Sequence, residues 1–282
     1  MSKTLYLHPG SPKGGSTWIQ DFCIKNRQNL EIQNFEYIHD FRELDFECLM
    51  GDNHSAFFNG LDNKILKKLP QNSEKVFLSY ENVLGDPLFK EGLFAMAPTI
   101  AKNLTPINNS FSKTVVIWIY RPIGSLLLSV YNQRKKQGAK LTFENFTSMI
   151  EQRDYDSRFL IEALRVLSQN AEIHVFNFSD LQARPKRFLR NFFNLMHTSL
   201  DENFDLTSPQ RNPSVREEGL KVLEFAKDVL DQQEYNALRQ FMQAKMPKTE
   251  YSKKELAFLE SHKQRFESDD TLFKENIIQG EH

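Results

Sequence analysis

The sequence predicts an α/β fold, a three-layer sandwich with a central parallel sheet and a helical C-terminal extension. Three observations carry that expectation. Five short β-like runs recur along the N-terminal two thirds, each followed by a helical or turn-rich segment, the pattern of crossover units feeding a parallel sheet. One of them, Val115-Val116-Ile117-Trp118-Ile119-Tyr120, is apolar on both faces, as a central parallel strand must be. From Ser214 onward the chain reads as almost wholly helical and highly charged. The economical organisation is a single domain over 1–282, with an α/β core over 1–200 and the helical extension over 201–282.

In chain order, the expected strands are Thr4–His8, Phe35–His39, Lys75–Tyr80, Thr114–Tyr120 and Ala171–Phe176. Apolar periodicity predicts helices over Thr17–Lys25, Gly124–Lys136, Thr142–Gln152, Ser157–Asn170 and Arg184–Met196. Asp62–Lys75 and Asn103–Lys113 read as polar loops inside the domain. Ser214-Val215-Arg216-Glu217 reads as a capping box opening the first helix of the extension. No repeat or low-complexity tract interrupts this order.

Bulk properties exclude several function classes. A chain of 282 residues can bury a sizeable core. Its formal net charge of −1 gives no argument for a nucleic-acid partner. Two cysteines, Cys23 and Cys48, supply neither a disulfide framework nor ligand spacing, and no His/Cys/Asp cluster suggests a metal. Cys23 reads as a small apolar side chain of the first helix. No secretory signal is visible and no run approaches the roughly 18 apolar residues of a membrane span, so a cytoplasmic setting is expected. The 24 phenylalanines point to an aromatic core.

The most informative stretch is His8-Pro9-Gly10-Ser11-Pro12-Lys13-Gly14-Gly15-Ser16-Thr17-Trp18, directly after Leu5-Tyr6-Leu7. A strand running through a glycine-rich loop into a helix presents backbone N–H groups to a phosphate or sulfate. Gly10 and Gly15 have the spacing of the nucleotide-triphosphatase loop G-x-x-x-x-G-K-[ST], but Ser16 stands where that loop has its lysine. The lysine sits earlier, at Lys13. The loop is P-loop-like, yet its displaced lysine calls for a different phosphate-bearing donor.

The string Pro12-Lys13-Gly14-Gly15-Ser16-Thr17-Trp18 resembles the P-K-x-G-[ST]-[ST]-W loop of sulfotransferases that use 3′-phosphoadenosine-5′-phosphosulfate (PAPS). A second signature of that family is an Arg-Pro with a Ser eight residues after the Arg and a Tyr close behind. Arg121-Pro122, Ser129 and Tyr131 fit it. Leu141–Phe146 and the region 173–193 resemble further family elements, so the likeness covers about positions 1 to 200.

The resemblance implies a division of labour. Lys13 would neutralise charge on the departing phosphate, with Gly14, Gly15, Ser16 and Thr17 presenting donors at the helix start. Trp18 is assigned to the adenine. Arg121 supplies a planar fork for the 3′-phosphate, which Ser129 would also reach. The family works without a metal. The family's cytosolic branch places a histidine base after the third strand; here the matching place reads Ser79-Tyr80-Glu81-Asn82. Glu81 is therefore the candidate base, with a turn-capping carboxylate as its rival reading, and His39 stands in reserve. The family's C-terminal R-K-G-x-x-G string is absent; Arg211 and Arg216 stand where a lid contact to the donor is expected. The acceptor would be a hydroxyl on a carbohydrate or a small molecule. A P-loop small-molecule kinase and a non-catalytic nucleotide-binding relative remain the alternatives.

Overall fold

A computed structural model of the chain describes residues 3–10, 13–38, 73–79, 83–84, 88–89, 92–109, 111–153, 155–207 and 214–278. The described residues divide between two compact units. The first draws on Met1–Arg121, Ser157–Pro209 and Leu272–His282, the second on Pro122–Asp156 and Gln210–Thr271. The division follows packing rather than position along the chain.

The first unit is built on a five-stranded, all-parallel sheet in the order β2-β3-β1-β6-β7. Its strands are β1 (Thr4–His8), β2 (Phe35–Ile38), β3 (Lys75–Ser79), β6 (Lys113–Tyr120) and β7 (Glu172–Asn177). Leu88–Phe89 and Gly92–Leu93 form a small antiparallel pair, β4 and β5. All five expected strands are present, which bears out the α/β reading with its central parallel sheet.

Alternation along the strands assigns the two faces. Tyr6, Phe35, Tyr37, Phe77, Val115, Ile117 and Ile119 share one apolar cluster with residues of α1 (Ser16–Lys25), α2 (Arg27–Ile32) and α8 (Pro185–Leu195). That layer is unusually aromatic. Phe77, Phe192 and Phe193 meet pairwise at ring separations of 5.7 to 6.4 Å, and Phe188 extends the group to Phe176 on β7. On the opposite face Trp118 meets Phe94 edge-on and Tyr120 stacks on Phe273 at 4.3 Å. There α3 (Ala97–Asn109) packs against α6 (Arg158–Ser168), which in turn contacts β7.

Helix α3 corrects the expected loop over Asn103–Lys113, since helix runs to Asn109 and strand resumes at Lys113. Ala97, Ile100, Ala101 and Leu104 are all buried at helical spacing, and that stripe outweighs Pro106 and the intervening asparagines.

The second unit holds α4 (Ile123–Lys136), α5 (Phe143–Glu151), α9 (Glu217–Ala226), α10 (Gln232–Lys245), α11 (Lys253–Ser261) and α12 (Lys263–Phe273) as far as Thr271. Gly124 lets α4 approach closely: a Cβ there would lie 2.7 Å from the Phe266 ring. Val215, Leu220, Leu223, Ala226 and Tyr235 form its own small core.

The expected capping box at Ser214 is not what opens α9. Arg216 occupies the N-cap with no side-chain bond, and the helix starts at Glu217. The reason is a competing pairing. Val215 bridges to Pro247, Arg216 N–H donates to Met246 O, and Lys248 N–H donates to Ser214 O at 2.7 Å, so 214–216 are held extended. Reciprocal capping boxes form instead at Asp231–Glu234 and Ser252–Glu255.

Candidate functional site

The site of interest in the first unit is the loop between β1 and α1, at the C-terminal edge of the sheet. The central strand β1 lies where the strand order reverses, with β3 and β2 on one side and β6 and β7 on the other. Ligands of open α/β sheets bind at such a switch point.

Local conformation follows the glycine pattern. Gly10 and Gly15 adopt positive φ, 69° and 89°, the region that L side chains avoid. Behind Gly15 sits Leu181 of α7 (Phe178–Ala183), and a Cβ on Gly15 would come within 2.2 Å of its Cδ2. Glycine is therefore required there twice over, by backbone conformation and by close packing. Lys13 is also left-handed, at φ 65°, a conformation costing on the order of 1 kcal/mol for a side-chain-bearing residue.

Helix α1 then begins at Ser16 without a side-chain cap. Trp18 N–H turns back to Gly15 O at 3.0 Å. The N–H groups of Ser16 and Thr17 belong to the orphan first turn that an anion can satisfy. Ser16 is buried, Thr17 exposed, and Gly14 buried. Trp18 is 8% exposed and belongs to the core cluster; its Nε1 has no partner among the described residues.

Arg121, the residue after β6, reaches this loop. Its Nη1 donates to Lys13 O at 2.8 Å, and its guanidinium lies over the Phe178 ring, 4.6 Å from the centroid. The bond steadies the left-handed Lys13, and the stack fixes the plane of the fork. Arg121, the first residue of the second signature, is thus in direct contact with the loop of the first.

Below the loop lies a polar cluster that sequence reasoning missed. His8 is wholly buried, between Phe77 and the edge of Phe192. Its Nδ1 is 2.9 Å from Ser79 Oγ, and Gln20 Nε2 donates to Ser79 O at 3.2 Å and to Ser79 Oγ at 3.3 Å. Burial lowers the His8 imidazole to about 4, so it is neutral near pH 7. Phe178 was likewise not singled out from the sequence. No motif marks Gln20, Ser79 or Phe178; only the parallel register, which sets His8 opposite Ser79, makes the cluster legible.

The remaining expected site residues fall in the second unit or outside the described residues. Ser129 belongs to α4 in the second unit, partly exposed. Arg216 lines a cleft of about 470 Å³ in that same unit. Tyr131, on the cleft wall, is pushed up to about 12 by burial and then by Glu217, Glu255, Glu144 and Glu224. Glu81, His39 and Arg211 lie outside the described residues. Among the described residues no group of three or more His, Cys, Asp or Glu could hold a metal ion, and no helix is long and apolar enough to cross a membrane.

Among solved structures, a sulfotransferase from Alicyclobacillus acidocaldarius aligns over 85% of this chain and 97% of its own, at 11% identity and a TM-score of 0.48. The chain is similar to sulfotransferases. A retinol dehydratase, solved in complex with androsterone and the inactive cofactor PAP, aligns over 96% of this chain and 80% of its own, at 11% identity and a TM-score of 0.44. The sulfotransferase domain from the curacin biosynthetic pathway aligns over 93% and 97%, at 12% identity and a TM-score of 0.38. No family model and no curated protein sequence matches the chain.

Proposed function

We propose that the protein is a sulfotransferase that takes a sulfuryl group from PAPS and delivers it to a hydroxyl on a carbohydrate or small molecule. One observation carries the reading: the bond from Arg121 to the Lys13 carbonyl, which unites two sequence signatures 108 residues apart.

The roles follow from charge. The uncapped start of α1, with the amides of Ser16 and Thr17, receives the 5′-phosphate side of the donor. Lys13 offsets the negative charge that grows on the bridging oxygen as the bond from sulfur to that oxygen breaks. The acceptor oxygen forms its bond to sulfur from the opposite side, and its proton passes to a base, Glu81 on the sequence pattern, with His39 in reserve. The nucleotide leaves as 3′-phosphoadenosine 5′-phosphate (PAP). Arg121 reads the 3′-phosphate, and Trp18, Ser129, Arg211 and Arg216 are assigned to the nucleotide by the sequence pattern alone. Positioning and fixed charge supply the catalysis, by analogy with phosphoryl transfer.

Calorimetric titration with PAP and with AMP tests this directly. PAP binds at least tenfold more tightly than AMP if the 3′-phosphate is read; equal affinities overturn the assignment. Lys13→Ala abolishes sulfuryl transfer while circular dichroism remains unchanged. Magnesium-dependent ATP turnover by the purified protein would establish the kinase alternative instead.

A further inference from the structure

The buried His8–Ser79–Gln20 cluster is not accounted for by any of the roles above. Its three members come from three different elements: the last residue of β1, the last residue of β3, and the middle of α1. A polar imidazole in a phenylalanine-lined core is a poor choice for stability, because an apolar side chain there would have no hydrogen bonds to satisfy.

The connectivity suggests what the cluster does. Residue 8 is where the chain leaves the sheet to enter the anion loop, and Gln20 lies on the helix by which it returns. Both ends of the loop are therefore fastened to one atom, Ser79 Oγ, by contacts of 2.9 and 3.3 Å. Ser79 Oγ accepts from Gln20 Nε2, which leaves its own proton free to donate to His8 Nδ1. The amide also holds Ser79 O, so the tie cannot swing with the serine rotamer alone. We propose that Gln20, Ser79 and His8 form a positioning relay that sets the span of the loop and so aims its amides at the anion.

The relay acts on the donor loop and rests on the PAPS reading only for the choice of nucleotide probe. Ser79→Ala removes the shared atom; Gln20→Leu, at a partly exposed position, removes one tie without touching the strand. Each single variant weakens PAP binding about tenfold in titration calorimetry, with the fold unchanged by circular dichroism. The double variant loses less than the product of the two single losses, because both remove the contact between Gln20 Nε2 and Ser79 Oγ. Ser79→Thr, which keeps a hydroxyl, restores binding. Amide hydrogen exchange on the nucleotide-free protein supplies a second measurement. Exchange at Gly14–Thr17 speeds up in each variant while the β1 and β6 amides keep their protection.

Singles that bind PAP like the parent, or losses that multiply in the double variant, overturn the relay. Failure of the parent protein to bind PAP overturns the sulfotransferase reading alone, and the exchange rates then decide the relay. Unchanged exchange at 14–17 refutes it.

Discussion

Among single residues, His8 has the sharpest consequence for stability. Its folded pKa of about 4 lies below the value of about 6.5 expected in an unfolded chain. Below the unfolded pKa, the unfolded state takes up a proton that the folded state refuses, so acid favours unfolding. The stability of the first unit is thus complete above about pH 6.5 and is lost progressively toward pH 4, by roughly 3 kcal/mol from this one group. Urea unfolding at pH 7 and at pH 4.5 measures it. His8→Gln, which keeps a hydrogen-bonding side chain without a titrating ring, flattens that pH dependence. If both proteins lose the same stability on acidification, other groups are responsible. The sequence sets this histidine at the start of the glycine-rich loop as a residue that shapes it; its burial is not legible there, because that depends on Phe77 and Phe192, distant residues that only the sheet and α8 bring to it.

At the scale of elements, helix starts are governed by what else competes for the same backbone. The Ser214 string has the composition of a capping box, yet 214–216 are held extended by bonds to 246–248, thirty or more residues away. Ser252 has no such competitor and caps α11 as its own residues dictate. Periodic helices and strongly apolar strands were legible to within a residue or two for the same reason, since Val115–Tyr120 or Arg158–Ser168 needs no distant partner to declare its type. Helix α3 was misread because polar residues and Pro106 mask a stripe whose burial is a tertiary fact.

The Ser252 cap also carries a buried ion pair. Glu255, 3% exposed, accepts from Asn132 at 3.0 Å, from Ser252 and from Lys248. Burial pushes its carboxyl up, but those bonds, Lys248 foremost, hold it below the ordinary range. Its stabilising contribution is therefore present above that range and disappears on acidification. Glu255→Ala takes the buried carboxylate from Lys248, leaves Asn132 with Leu128 O alone, and destabilises the second unit by about 3–5 kcal/mol. Urea unfolding at neutral pH measures this; a loss below about 1 kcal/mol would mean that the pair is not desolvated.

For the molecule as a whole, sheet order matters more than sequence order. The strand order sets β1 beside β6, so the chain following each strand emerges at the same edge, and Arg121 arrives at Lys13 across 108 residues. The two signatures were readable separately; their contact was not, because it depends on β6 pairing with β1 in parallel register. That contact also separates two roles that a sequence motif merges. As a donor to Lys13 O, Arg121 shapes the loop; as a fork over Phe178, it presents a fixed plane, the one that the proposed contact to the 3′-phosphate would use. Arg121→Lys keeps the charge but loses the stacked plane and the paired donors, so it distinguishes a reader of geometry from a source of charge. For a phosphate read by charge-assisted bonds worth about 1.5–3 kcal/mol, PAP affinity falls roughly 10- to 150-fold in the lysine variant. AMP, which has no 3′-phosphate, loses much less affinity than PAP if Arg121 reads that group. Titration of both nucleotides against both proteins gives the four constants. Parallel losses for PAP and AMP would assign Arg121 to the loop alone and leave the 3′-phosphate to another cation.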